Sequence, residues 1–200
     1  MTEDLKKAGD YTITQAIHIG DKIIVMGENP DAAEEMYYMV SYCERNDIFA
    51  VYRDVEVGRN YLEIAGIFAK RLQEQIEKTA AELKNENCPH SIITSDMCVK
   101  NSYSEPWEGK ILVVKPECLR GEYRTASHQI IRCVGGNGSS PKGHGFSIFG
   151  KRFVAEGTVR FGRTDIMGIL KEECYPAWLK EAIQNEQKQQ TVRKHEEAQR

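Results

Sequence analysis

Apolar and polar residues alternate along several stretches of the chain, and this pattern predicts short strands. Residues 11–19 alternate and are followed by a Gly20-Asp21 turn and an apolar return over residues 22–26, which together predict a β-hairpin. A third strand is predicted over residues 49–57. Further stretches of the same kind follow in the second half, at residues 91–98, 111–114, 129–134, 146–149, 153–161 and 166–170. Short strands separated by glycine-rich turns are typical of a small, bent sheet or a partial barrel.

Apolar residues that recur every three or four positions predict helices in the first half. Asn29 has the residue type of a helix cap and Pro30 suits the first helical position, so we expect a helix over residues 32–45. Asn60 precedes the longest predicted helix, over residues 61–84, whose apolar and charged residues fall on opposite faces. The first half therefore has the predicted order ββαβα.

We therefore predict an α+β protein in three parts. Residues 1–86 form the N-terminal ββαβα unit, and the helix-breaking residues 85–89 separate it from a small, bent antiparallel β-sheet unit over residues 87–175. Pro176 opens a C-terminal helix. The rest of residues 176–200 is a polar tail with almost no apolar side chain, which we expect to be exposed or disordered.

Charge divides the chain into an acidic front and a basic middle. The formal net charge is −3 at pH 7, but residues 1–86 carry 10 lysines and arginines against 17 aspartates and glutamates. Residues 110–163 reverse the balance, with 10 basic residues against 3 acidic ones. Such an asymmetry favours two functional surfaces of opposite sign over one uniform surface.

Composition favours a cytoplasmic protein without a membrane partner. No apolar run approaches the roughly 20 residues of a membrane span, and residues 1–7 lack the apolar run of a signal peptide. The chain contains six widely spread cysteines, namely Cys43, Cys88, Cys98, Cys118, Cys133 and Cys174. In a reducing compartment we expect free thiols rather than disulfides.

A loop over residues 135–145 is made almost wholly of glycine, serine, asparagine and proline. Glycine allows positive φ angles and lets a partner approach the backbone closely. Lys142 and His144 in the loop, and Lys151 and Arg152 after it, form a positive rim. The loop therefore suits an anionic partner, and a long surface hairpin without a ligand is the alternative that its composition allows.

Basic and aromatic residues are interleaved around this loop, a pattern in which cations bind phosphates and rings stack on unpaired bases. The basic set is Arg120, Arg124, Arg132, Lys142, Lys151, Arg152, Arg160 and Arg163, and the aromatic set is Tyr123, Phe146, Phe149, Phe153 and Phe161. In the alternative interpretation the phenylalanines are core residues and the charges are solvated, which the alternation over residues 149–161 favours. We predict a partner or nucleic-acid site formed by Arg124, His128, Arg132, Asn137, Lys142, His144, Lys151 and Arg152.

Three residues of zinc-ligand type, Cys88, His90 and Cys98, lie close together in the sequence. A structural zinc site needs four nitrogen or sulfur ligands in a tetrahedral arrangement. The spacing of these three matches no zinc ribbon or finger pattern. We therefore predict no metal.

Cys133 with His128 or His144 has the residue types of a thiolate–imidazole pair. Cys133 lies in an apolar strand, however, where a thiol is expected to be an inert core residue. His128 precedes Cys133 by five positions, which on a strand places the two side chains on opposite faces. We therefore predict a non-enzymatic protein without a cofactor, and a small hydrolase or transferase is the least favoured alternative.

A series of short motifs marks residues 110–170: Ile111-Leu112-Val113-Val114-Lys115-Pro116-Glu117, Tyr123-Arg124-Thr125, His128-Gln129, Gly135-Gly136-Asn137-Gly138, Ser140-Pro141, Gly145, Phe149 and Arg163-Thr164-Asp165-Ile166-Met167-Gly168. With these motifs the region resembles a poorly characterised domain found on mobile elements of Firmicutes bacteria. Residues 61–77 are similar to the helix that precedes that domain. No activity or catalytic residue is attached to the family, so the resemblance assigns no site.

What the resemblance implies is a mobile-element context, in which small non-enzymatic proteins often act against host defence. Some of them inhibit type II CRISPR nucleases by occupying surfaces meant for DNA or guide RNA. We therefore expect an anti-CRISPR type of inhibitor that blocks DNA engagement, with the acidic front as a phosphate mimic and the basic loop on nucleic acid. Its partner would be a host defence nuclease or the nuclease's nucleic-acid complex. The alternative is an accessory module for plasmid maintenance or transfer that binds DNA or RNA directly.

Overall fold

The computed structural model describes residues 7–45, 49–86, 88, 91–100, 104–154 and 157–198. The chain forms two compact units, residues 1–86 and residues 87–200. Each unit has its own antiparallel sheet and at least one helix, so the predicted α+β class is confirmed. Among the described residues, no helix has the length and apolar character needed to cross a membrane.

Unit 1, residues 1–86, is a five-stranded antiparallel sheet followed by a long helix. Its strands pair in chain order and are β1 (Lys7–Ala8), β2 (Tyr11–Ile19), β3 (Lys22–Glu28), β4 (Tyr38–Arg45) and β5 (Ala50–Gly58). Helix α1 (Tyr61–Asn85) begins after Asn60, whose side chain accepts a hydrogen bond from the Leu62 amide. The predicted helix and its cap are confirmed.

The sheet of unit 1 is bent, and both of its faces are covered. A register shift between Ile13 and Gln15 marks a bulge in β2, and a second shift places an extra residue in β5 between Arg53 and Glu56; bulges of this kind bend strands. The Tyr52 hydroxyl of β5 donates to the Lys7 carbonyl of β1 at 2.9 Å, which joins the two edge strands. One face packs Ile24, Met26 and Val40 against Ile64 of α1, and the other encloses Ala8, Ile23, Val25, Met39 and Cys43.

The helix predicted over residues 32–45 is wrong. The chain there forms one turn of 3-10 helix (Glu34–Met36) and then β4. Because β4 lies between β3 and β5, Met39 and Cys43 enter one core and Val40 enters the other. A strand buried on both faces has a nearly continuous apolar sequence, which also fits helical spacing. Unit 1 is therefore a run of antiparallel strands followed by a helix, and the predicted order ββαβα is corrected.

Unit 2, residues 87–200, is built on a six-stranded antiparallel sheet. Its strands are β6 (Cys98–Lys100), β7 (Ile111–Val114), β8 (Ile130–Gly135), β9 (Ser147–Lys151), β10 (Thr158–Gly162) and β11 (Ile166–Leu170). They pair in the order β10-β9-β8-β7-β11-β6. The short helix α2 (Ala126–Gln129) precedes β8, and α3 (Ala177–Ala198) follows the sheet.

Several elements of unit 2 differ in extent from the prediction. Of the strand predicted over residues 91–98, only Cys98 lies in a strand (β6), and a 3-10 turn (Ser95–Met97) precedes it. The strand predicted over residues 153–161 is shortened to β10, and residues 155 and 156 of that stretch lie outside the described part of the chain. Helix α3 continues to Ala198, across most of the predicted polar tail, because glutamine, lysine, glutamate and arginine are good helix formers.

Candidate nucleic-acid interface

The two faces of the unit 2 sheet carry cores of different extent. One face packs a continuous core of Trp107, Leu112, Val114, Leu119, Ile131, Cys133, Ile148 and Ile166. On the opposite face, Leu179 of α3 is buried against Ile111, Val113, Ile130 and Leu170. This second core covers β7, β8 and β11, so β9 and β10 keep an uncovered face.

The uncovered residues of β9 and β10 form a surface that we name the open face: Phe149, Lys151, Thr158 and Arg160. Side chains alternate along a strand, and Ile148 and Val159 point into the covered core, so the open-face residues point the other way. Phe149 lies directly opposite Arg160, and Lys151 lies opposite Thr158. Phe149 is 41% exposed, and the other three are also exposed. An aromatic ring and two cations therefore share one solvent-facing patch.

The phenylalanines near the loop divide between core and surface. Phe161 packs against the covered core, and Phe153 packs against the core beneath α3. Phe149, by contrast, lies on the open face, and Phe146, just before β9, is 69% exposed. The interpretation of the phenylalanines as core residues therefore holds for Phe161. Phe149, on the opposite face of the sheet, remains available to a ligand.

Arg160 is held against the open face by a short contact with β9. Its Nε and Nη2 atoms donate to the Ser147 hydroxyl at 3.1 and 3.0 Å. A guanidinium fixed in this way still has donors for a second acceptor, such as a phosphate. The cation is therefore positioned before any ligand arrives.

Arg132 marks the border between the open face and the covered part of the sheet. Its Nη2 atom is 2.8 Å from Glu186 Oε2 of α3, and its guanidinium lies 5.2 Å from the centre of the Phe153 ring. Arg132 is opposite Lys151 on the neighbouring strand. The structure thus gives Arg132 a contact that fixes α3 to β8, and the neighbouring carboxylate balances its charge.

The glycine-rich loop is anchored in unit 2 rather than projecting from it. The Trp107 amide donates to the Ser139 carbonyl at 2.8 Å, and the Arg163 amide donates to the Phe146 carbonyl at 2.7 Å. The Arg163 guanidinium donates to the Gly138 carbonyl and lies 3.9 Å from the centre of the Trp107 ring. A Cβ atom at Gly138 would lie 2.6 Å from the Phe146 carbonyl oxygen, so glycine is required there.

Arg163 and Trp107 are the residues of this region whose role the sequence alone did not reveal. Trp107 is fully buried and Arg163 is 1% exposed, although both lie in polar, turn-like stretches. Trp107 was the one signal in the sequence: a large aromatic residue in a stretch of proline, glycine and charged residues indicates a buried contact, because its ring needs a place to pack. Nothing comparable distinguished Arg163 from the other arginines.

The predicted site residues fall into two groups at opposite ends of β9. Asn137, Lys142 and His144 are exposed in the loop that joins β8 to β9. Lys151 and Arg152 lie at the far end of β9, roughly 13 Å away along the strand. Arg152 is half-buried there.

Arg124 and His128 precede β8 and therefore belong to the same end of the sheet as Arg152. Arg124 is exposed, and its Nε atom donates to the Leu119 carbonyl at 3.2 Å. His128 of α2 is only 3% exposed, and its ring stacks on Tyr123 with 4.6 Å between the ring centres. Its position leaves it little surface to offer a partner.

Burial and, to a smaller extent, the nearby positive charge of Arg152 together lower the pKa of His128 to about 4. Its Nδ1 atom is 3.2 Å from Thr125 Oγ1 and 3.1 Å from Ser127 Oγ. His128 is therefore neutral at pH 7 and contributes no charge to a phosphate site.

The buried thiols of Cys133 and Cys98 lack the features of activated nucleophiles. Cys133 is 1% exposed, and burial raises its pKa, so the neutral thiol is the stable form. Burial likewise raises the pKa of Cys98 to about 11. In the part of the chain that the structure describes, no three histidine, cysteine, aspartate or glutamate side chains form a metal-binding group. His90, a member of the Cys88, His90 and Cys98 set, lies outside the described residues.

The chain matches no family model, no curated protein and no solved structure. The resemblance to a mobile-element domain stays an expectation that rests on the sequence motifs of residues 110–170.

Proposed function

We propose that unit 2 is a nucleic-acid-binding module whose open face holds single-stranded DNA or RNA. The observation that carries the proposal is the pair formed by Phe149 and Arg160, which lie opposite each other on β9 and β10 and are both exposed. Lys151 lies about 7 Å from Phe149 along the same strand and the same face. A base stacked on Phe149 would keep its phosphates within reach of both cations.

The geometry favours an unpaired strand over a duplex. A ring that lies on a sheet can stack on an exposed base, whereas the bases inside a duplex are already stacked on each other. Phosphate contacts alone would bind both forms. The proposed preference for single strands therefore depends on Phe149, and the overall affinity depends on the cations.

The direct test is fluorescence anisotropy with labelled oligonucleotides. The full chain is titrated against single-stranded DNA and RNA of about 20 nucleotides and against a duplex of equal length, at about 50 and 200 mM salt. We expect tighter binding to the single strands and weaker binding at higher salt. Equal affinity for single strands and duplex would contradict a stacking site.

Variants separate the open face from the loop. Phe149→Ala should weaken single-strand binding about tenfold, the loss expected for one stacked base. Arg160→Glu and Lys151→Glu should reduce both the affinity and its salt dependence. Lys70→Glu is the matched control, since this side chain is 77% exposed on α1 of unit 1. If Lys142→Glu and His144→Glu abolished binding while the open-face variants retained it, the loop would be the site instead.

A second candidate is inhibition of a host nuclease by the acidic unit 1, as expected for an anti-CRISPR type of protein. The observation in its favour is the excess of carboxylates in residues 1–86, with exposed examples at Asp54, Glu63 and Glu77. Such a surface could occupy a positively charged DNA channel.

The two candidates are distinguished by repeating the titration with a guide-loaded type II CRISPR nuclease. Loss of the nuclease–DNA complex, without any binding to bare nucleic acid, would favour the inhibitor. In that case, Asp54→Lys and Glu63→Lys should restore the nuclease–DNA complex. Binding to bare single strands with no effect on the nuclease would favour the accessory module.

A further inference from the structure

Unit 1 contains a groove lined by aromatic side chains, which we name the tyrosine groove: Pro30, Tyr37, Tyr38, Arg59 and Tyr61. It consists of two adjoining concavities of about 320 and 480 Å³, and Tyr37 and Tyr38 line both of them. The groove lies where the end of β3, the start of β4 and the start of α1 meet.

The walls of the groove are aromatic rings held at a steep angle to each other. The rings of Tyr38 and Tyr61 have centres 5.4 Å apart and planes inclined by 75°. Tyr61 is 49% exposed, so one side of its ring is open to a ligand. Rings in edge-to-face contact support each other, so they form a rigid apolar wall on which a ligand group can pack.

The backbone around the groove is fixed by hydrogen bonds before any ligand binds. The Tyr11 hydroxyl donates to the Met36 carbonyl at 2.7 Å, and the Asn29 amide donates to the Tyr37 carbonyl at 2.8 Å. The Asn29 side chain accepts from the Asp31 amide at 3.1 Å. A preformed groove of this kind loses little conformational entropy when it is occupied.

Carboxylates outnumber cations in the segments that form the groove. Glu28 lines one concavity, and Asp31 and Glu35 are exposed in the segment that connects β3 to β4. Arg59 lines the other concavity. The carboxylates repel a phosphate backbone, so a nucleic acid is disfavoured here, and they attract a lysine or arginine.

We infer that the tyrosine groove binds a proline-rich peptide segment that carries a basic residue. Such a segment adopts the polyproline II conformation, whose carbonyl groups have no internal hydrogen bonds and are free to accept from tyrosine hydroxyls. Its proline rings are rigid and apolar, and they pack against aromatic side chains. The basic residue would contact Glu28 and its acidic neighbours.

The test uses two pooled peptide libraries and the immobilised full chain. One pool keeps the pattern Arg-x-x-Pro-x-x-Pro with x varied, and the matched pool has alanine in place of both prolines. We expect enrichment from the proline pool alone. No enrichment, or equal enrichment from the alanine pool, would overturn the inference.

Variants then locate the binding on the protein. Tyr61→Ala should weaken binding of an enriched peptide at least tenfold, while Tyr61→Phe, which keeps the ring, should retain most of it. Glu28→Lys should weaken binding through charge reversal. Leu62→Ala is the matched control, because Leu62 is 77% exposed beside Tyr61 and does not line the groove. Circular dichroism of each variant confirms that it is folded, and unchanged binding by folded Tyr61→Ala and Glu28→Lys would reject the groove as the site.

A second copy of the chain is the competing occupant. Light scattering during gel filtration gives the oligomeric state at high and low concentration. A dimer that Tyr61→Ala converts to a monomer would assign the groove to self-association and overturn the peptide inference.

Discussion

Units 1 and 2 each bury an arginine, and the partners of the two guanidinium groups differ in their access to water. In unit 1, Arg71 of α1 donates to Glu56 at 2.6 Å and lies 4.9 Å from the centre of the Tyr42 ring. The Glu56 side chain is 52% exposed. If Arg71 were removed, water would solvate the Glu56 carboxylate.

In unit 2, the partners of Arg163 are buried with it. The guanidinium donates to the Gly138 carbonyl and covers the ring of Trp107, and both residues are buried. If Arg163 were removed, the Gly138 carbonyl would lose a partner that water cannot replace. A buried cation is therefore costly to remove when its acceptor is also buried, and much less so when the acceptor reaches solvent.

Arg163→Ala should produce the largest change in stability. We expect the free energy of unfolding to fall by about 3–4 kcal/mol, because the variant leaves a carbonyl unsatisfied, removes a cation–π contact and creates a cavity. The chain contains two tryptophans, Trp107 and Trp178, and both lie in unit 2. Urea unfolding followed by tryptophan fluorescence therefore reports on unit 2.

Arg163→Lys serves as the control for charge. Lysine keeps the positive charge but cannot place a flat guanidinium over Trp107 while bonding Gly138, so it should recover less than half of the loss. If Arg163→Ala changed the free energy of unfolding by less than about 1 kcal/mol, the loop would not depend on the contact of Arg163 with Gly138 and Trp107.

His128 should make the stability of unit 2 depend on pH. Its pKa is about 4 in the folded chain, below the ordinary value of 6.5, so the unfolded chain binds the proton more readily. The contribution of neutral His128 to the free energy of unfolding is complete above pH 6.5 and is lost as the pH falls from 6.5 to 4. At pH 4 the free energy of unfolding has fallen by about 3 kcal/mol through this group.

His128→Phe should remove this part of the pH dependence. Phenylalanine can still stack on Tyr123, and Thr125 and Ser127 keep the hydrogen bond between their hydroxyls at 3.0 Å. The difference between the urea midpoints of the two proteins, measured at pH 7 and pH 4, isolates the histidine from the carboxylates that titrate in the same range. An equal pH dependence in both proteins would contradict a neutral, buried His128.

Arg71→Met in unit 1 should have the smallest effect, below about 1 kcal/mol. Methionine keeps the apolar stem against Tyr42, and the Arg71 Nη1 atom, which is buried without a hydrogen bond, is removed. Hydrogen exchange of the α1 amides measures this change in unit 1. A loss as large as that of Arg163→Ala would break the contrast between the two arginines.

The sequence predicts most elements whose pattern is local. Helix α1, its Asn60 cap and the strands over β7, β8 and β11 follow from periodicity and flanking residues. β4 could not be recognised, because burial on both faces removes the alternation that distinguishes a strand from a helix. That burial depends on pairing with β3 and β5.

The candidate site is less predictable, because it depends on what covers the sheet. Alternation places Phe149, Lys151 and Arg160 on one face, but it cannot show that the second core leaves that face of β9 and β10 exposed. The anchoring of the loop joins Trp107, Gly138 and Arg163, which are far apart in the sequence. Glycine content predicts a loop there, but it does not reveal these contacts.

The hydrogen bond from Tyr52 to the Lys7 carbonyl has a consequence for the behaviour of the protein at high concentration. An open edge strand is a template on which another chain can add a strand, and long apolar edges promote aggregation. By drawing β1 toward β5, the bent sheet of unit 1 shields part of both edges. Unit 1 can therefore display exposed tyrosines while its sheet edges resist the pairing between copies that leads to fibres.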